Sequence, residues 1–300
     1  MVNPLRLLRD RNFVLFSSLV LGFLWGEGAE WTEPLTLPAL ALVMTLSTVG
    51  ISMGELRSPR ALLIPALSGL GMNYALLGGV ILGLSMLLIR DEALRSGFII
   101  IAAVPPAVAV IPFTGFLKGN STFSLCGSIG GYLGALIITP LIVLGLLGTG
   151  SIDPLKLFII MVELIIVPLI LSRTLVWTRV AAKIEPFKGT ITNWSFFVVA
   201  FTIVGLNRAV FLGTPLSLIP VASIALASTF LLGLAIERVG VLFPIDQKTL
   251  TSLILLGTLK NYGLAGGLAL ALFSKRTAVP ATVSVVFMII YIIWLGYKRS

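Results

Sequence analysis

The chain is a succession of long apolar runs, most of them near 20 residues, with almost all charges confined to the segments between them. About 20 apolar residues span a hydrocarbon core of ~30 Å as a helix, because every backbone N–H and C=O must be satisfied within the segment. Ten runs are read: Phe13–Gly26, Leu35–Met53, Leu62–Ile89, Ala93–Leu117, Ser121–Leu147, Pro154–Leu175, Trp194–Leu206, Ser217–Ile236, Leu250–Phe273 and Val279–Leu295. Charged residues are only 11% of the chain, against roughly 25% in soluble domains. The expectation is an all-α polytopic membrane protein. The chain has no histidine and a single cysteine, Cys126. That inventory excludes His- or Cys-cluster metal sites, Ser-His and Cys-His nucleophile pairs, and intrachain disulfides.

Charge placement sets the expected orientation. With both termini cytoplasmic, Arg90, Arg95, Lys156, Arg208, Lys275 and Arg276 fall outside, Lys260 lies within a span, and the rest of the 21 Lys and Arg are inside. This obeys the positive-inside rule for an even number of spans in the cell inner membrane. It also explains the net charge of +9 by loops beside anionic lipid, with no call for nucleic acid.

Ten spans divide into five and five, residues 1–148 and 149–300. An odd number per half inserts the second half in the opposite sense, the plan of inverted repeats. Within 1–148 the spans fall in the segments 13–53 and 62–147, and within 149–300 in the segments 154–206 and 217–295. An offset of about 155 residues pairs Asp91 with Asp246 and Ile99 with Ile254.

Two spans carry features that a lipid-facing helix avoids. The fourth contains Pro105, Pro106 and Pro112, each lacking a backbone donor, and ends in Thr114-Gly115. The ninth reads Gly257-Thr258-Leu259-Lys260-Asn261-Tyr262-Gly263, an ionisable residue and an amide among glycines. Intramembrane charge is costly and marks function, and breaks at corresponding places in two halves point to a binding site. Both helices are expected to be broken. Glu163, within the sixth span, reads as a water-facing or paired carboxylate, with a proton carrier as the other reading.

The run from Pro105 to Gly119-Asn120 and Ser124, together with Lys260-Asn261-x-Gly263-Leu264-Ala265, resembles the bile acid:sodium symporter family. Arg57-Ser-Pro-Arg60 before a long third span matches as well, so the likeness extends over almost the whole chain. It implies ten spans in two inverted repeats, with spans 1, 2, 6 and 7 as a panel and the others as a core. The broken fourth and ninth helices would cross at the core's centre, facing a substrate cavity. The segments Gly54–Arg60 and Leu147–Asp153 would connect the two bodies and supply hinges.

The departures matter more. The family's sodium-binding Ser-Asn pair falls on Val110 and Ile111, its acidic ligand on Leu256, its ninth-span Gln on Lys260 and its third-span Gln on Asn73. Only the hydroxyls of Ser124 and Ser128 keep their kind. The chain is thus expected to be a divergent, prokaryotic-type member in which Lys260 stands where a sodium ion would, solvated by Asn73, Ser124 and Ser128. Thr114 and Thr258 complete the polar set, and Pro105, Pro106, Pro112, Gly257 and Gly263 shape the crossover backbone. No metal and no cofactor is expected; sodium is absent and a proton is the alternative coupling ion.

The expected function is secondary transport of small organic anions by alternating access. The expected partners are the substrate and the lipid bilayer, in a monomer or weak homo-oligomer. The alternatives are a sodium- or proton-coupled symporter of organic acids, a channel, or an intramembrane enzyme. An enzyme lacks a catalytic set here, having no Asp-rich motif for a metal-diphosphate.

Overall fold

The computed structural model describes residues 7–49, 59–148, 154–213 and 215–299. The Gly54–Arg60 and Leu147–Asp153 connections fall largely outside them. In chain order the helices are α1 (Arg11–Leu24), α2 (Gly26–Thr32), α3 (Thr36–Val49), α4 (Pro59–Leu70), α5 (Gly79–Leu88), α6 (Glu92–Ala103), α7 (Val110–Phe116), α8 (Ser121–Leu147) and α9 (Pro154–Met161). There follow α10 (Val167–Trp177), α11 (Val180–Leu206), α12 (Arg208–Gly213), α13 (Ile219–Leu226), α14 (Leu232–Gly240), α15 (Gln247–Leu256), α16 (Tyr262–Leu272) and α17 (Lys275–Arg299). Wider π turns at Gly71–Gly78, Val162–Ile166 and Ala227–Leu231 join α4 to α5, α9 to α10 and α13 to α14. No strand occurs among the described residues. Six stretches are helical, long and apolar enough to cross a membrane: Gly26–Val49, Leu62–Leu88, Ser121–Leu147, Val180–Leu206, Ile219–Gly240 and Lys275–Arg299. The chain is an all-α protein with the helices of a membrane protein.

Two compact units form, and each draws on both halves of the sequence: Met1–Gly50 with Ile159–Leu216, and Ile51–Phe158 with Ser217–Ser300. In the first, α1, α2 and α3 pack on α11. Small residues let the backbones meet: a Cβ on Gly205 would lie 2.4 Å from Cβ of Ala29, and one on Gly22 would lie 2.9 Å from the Phe201 carbonyl. The hydroxyls of Thr32 and Thr202 bond across the same seam at 2.5 Å. The Arg173 guanidinium donates to the Thr48 carbonyl near the end of α3. Glu163 is exposed on the π turn of this unit.

The second unit holds both broken helices. Asp91 and Asp246 cap α6 and α15, accepting the Leu94 N–H in one and the Lys248 and Thr249 N–H groups in the other, all at 3.0 Å. The residues paired by the sequence offset therefore each cap a helix, α6 and α15. Asn120 caps α8 through the Phe123 N–H at 3.0 Å, and its own N–H donates to the Lys248 carbonyl at 3.0 Å, fastening the α7–α8 turn to α15. Glycine again sets the closest approaches. A Cβ on Gly69 of α4 would lie 2.3 Å from the Gly127 carbonyl of α8, and one on Gly97 of α6 would lie 2.2 Å from the Thr277 carbonyl of α17.

The Arg276 guanidinium donates to Asp91 from Nε at 3.0 Å and Nη2 at 2.7 Å. These bonds, then the Leu94 N–H, hold the Asp91 carboxyl below the usual carboxylate range. A depressed folded value contributes stability above the unfolded value of about 4, lost as pH falls through the folded one. Asp91→Asn keeps the cap and is expected to remove this acid-side loss from pH-dependent thermal unfolding. Asp91→Ala removes the cap too and costs about 1 kcal/mol at neutral pH.

Candidate functional site at the helix crossing

Apolar sequence carries α6 and α15 into the interior of the second unit, and each then stops. After Ala103 the backbone is extended through Val104, since a residue before proline is pushed out of the helical region. After Leu256 the helix ends at Gly257, where a Cβ would meet Ile236 and Met72 at 2.7 Å each. The two breaks pair with each other. Pro106 and Lys260 form an antiparallel bridge in which the Ala107 N–H donates to the Leu259 carbonyl and the Asn261 N–H to the Pro105 carbonyl, both at 3.0 Å. Neither N–H of the bridged pair is needed, because it is the non-hydrogen-bonded kind. Proline is admissible at 106 for that reason.

Lys260 is 0% exposed, and its ammonium is fully bonded. Nζ donates to Asn73 Oδ1 at 2.7 Å and to the Ala102 and Val104 carbonyls at 2.8 Å each. Those three acceptors take its three protons. Ala102, in the last turn of α6, and Val104, its C-cap, present carbonyls that the helix itself leaves without donors, while the Ala103 carbonyl between them accepts from Thr139 at 2.7 Å. A helix C-terminus carries roughly half a negative charge, so the lysine caps α6 both as donor and as cation. Asn73 links the two breaks: its Nδ2 lies 3.4 Å from both the Leu256 carbonyl at the end of α15 and the Leu259 carbonyl beyond it. The ring of Tyr74 lies over the ammonium, 4.4 Å from Nζ to centroid. Among the described residues no carboxylate pairs with Lys260.

The remaining candidates divide. Asn261 caps α16 by accepting the Leu264 N–H at 3.0 Å, so its carbonyl end serves the helix. Gly263 is buried in the first turn of α16, and Pro112 is third in α7, where a missing N–H costs nothing. Thr258 is buried and donates to Ile254 O at 2.6 Å. Thr114 and Ser124 form a separate hydroxyl pair at 2.7 Å, with Ser128 buried one turn further along α8. The ammonium is therefore solvated by Asn73 and by backbone carbonyls, while Ser124 bonds to Thr114. Backbone acceptors leave no mark in a sequence. Tyr74 had one signal, its place next to Asn73.

The metal-ligating side chains give no metal cluster among the described residues. No protein-family model matches the chain, and no curated protein matches it.

Proposed function

We propose that the chain is a secondary carrier of small organic anions, independent of sodium, with Lys260 as a fixed cation at the crossing of two broken helices. The proposal includes ten spans in two inverted repeats, 1–148 and 149–300, in a cell inner membrane with both termini cytoplasmic. It also includes the likeness to the bile acid:sodium symporter family and a monomeric or weakly oligomeric state. One observation carries the reading: the Lys260 ammonium donates at 2.7–2.8 Å to Asn73 and to two carbonyls at the end of α6. A monovalent metal ion would bind the same kind of oxygens, and the lysine occupies them permanently. The buried charge also favours an anion. All three ammonium protons are used, so the attraction acts through space in a medium of low dielectric. The half-helices α7 and α16 start beside the bridge and add positive N-terminal ends. Movement of one compact unit against the other supplies alternating access.

Uptake of labelled carboxylates into proteoliposomes, with sodium and proton gradients imposed separately, tests this for wild type, Lys260→Gln and Lys260→Ala. Wild-type uptake is expected to be unchanged by a sodium gradient and to show saturable counterflow, which a channel lacks. Strong sodium stimulation of the wild type overturns the proposal. A proton-driven uptake lost in both variants would make the lysine itself the coupling residue, the second reading its burial favours.

A further inference from the structure

The groups around the Lys260 ammonium differ in one respect. Asn73, Ala102, Val104 and Lys260 itself are 0% exposed, and Gly78 is buried, but Tyr74 is only partly buried. Of these residues Tyr74 alone is not fully buried. The phenol is fixed at its far end, donating to the Gly131 carbonyl of α8 at 3.1 Å. The wider π turn Gly71–Gly78 is what brings the neighbours Asn73 and Tyr74 to the same cation, one by its amide oxygen and one by its ring face. Gly78 closes that turn and leaves the space open, since a Cβ there would lie 3.3 Å from Ala102 O and 3.9 Å from Nζ.

We infer that Tyr74 is a positioning residue that seals Lys260 in its cage. The aromatic face, 4.4 Å from Nζ, supplies attraction and covers the ammonium; the hydroxyl bond to Gly131 is not needed for this. With the seal in place the lysine is a strut that neither substrate nor solvent reaches. Without it the amine opens to small reagents while the three oxygen acceptors stay. The inference rests on reading Lys260 as the fixed cation of a carrier. Its test reads the amine directly and needs no substrate, so it fails independently of the transport reading.

The experiment is reductive methylation of the purified full-length protein with formaldehyde and a borohydride. Lys260 is followed by peptide mass mapping, and thermal unfolding reports folding. In wild type and Tyr74→Phe, Lys260 should resist methylation while the exposed lysines react. In Tyr74→Leu, Lys260 should react about tenfold faster, the change that ~1.4 kcal/mol of lost cation–π attraction gives. If Tyr74→Leu does not fold, Tyr74→Trp replaces it and should protect the lysine as the tyrosine does. A folded Tyr74→Leu in which Lys260 reacts at the wild-type rate overturns the inference. So does a Tyr74→Phe or Tyr74→Trp protein in which Lys260 is freely methylated.

Discussion

Lys260→Met should lower the stability of the purified protein by about 3–5 kcal/mol, the cost of removing one side of a buried charged network. Methionine keeps most of the length and volume, so the loss reports the charge and its protons. Three acceptors would remain facing an apolar thioether: Asn73 Oδ1 and the Ala102 and Val104 carbonyls. Each buried acceptor left without a donor costs about 1–3 kcal/mol. Against that stands the relief of no longer desolvating an ammonium, which is why the net is smaller than the sum. Arginine is no substitute: its planar fork presents five donors to a cage built for three, with the Tyr74 ring 4.4 Å away. Thermal unfolding in detergent measures the effect. A methionine variant as stable as the wild type would show that the breaks hold each other without the cation, and the strut reading would fall.

Gly131→Leu should be the most damaging glycine substitution at the crossing. A Cβ there would lie 2.5 Å from Cδ of Pro106, inside the break that pairs with Lys260, and the Gly131 carbonyl also holds the Tyr74 hydroxyl. Helix α8 cannot retreat easily, because a Cβ on Gly127, one turn earlier, would already lie 2.8 Å from Leu256 and 3.1 Å from the Pro65 carbonyl. Overpacking of this kind costs about 3 kcal/mol, with a Leu adding more bulk than one methyl. Gly145→Leu, on the same helix with nothing within 4 Å of its Cβ position, is the matched control and should be neutral or stabilising by up to about 1 kcal/mol, the helix propensity gained. Equal effects at the two positions would mean that the contact with Pro106 does not set the cost.

Both predictions turn on contacts that only folding creates, and this divides what the sequence determined from what it did not. The apolar runs determine the helices, since a chain with 57% apolar residues and few charges can satisfy its backbone in lipid only internally. Pro105-Pro106 and Gly257 through Asn261 determine where two of those helices stop, because missing donors and buried polar groups are local properties. The pairing of Asp91 with Asp246 was legible from their offset, but that both are helix caps was decided by the structure. The tertiary structure decided what each break meets. It placed Lys260 against carbonyls of α6 more than 150 positions away, put Asn73 between the two breaks, gave Ser124 to Thr114 instead of the lysine, and turned the Asn261 carbonyl onto its own helix. The physical reason is that a lysine's partners here are mostly main-chain oxygens, which every residue carries alike; only the geometry of the crossing selects which of them are left without a donor.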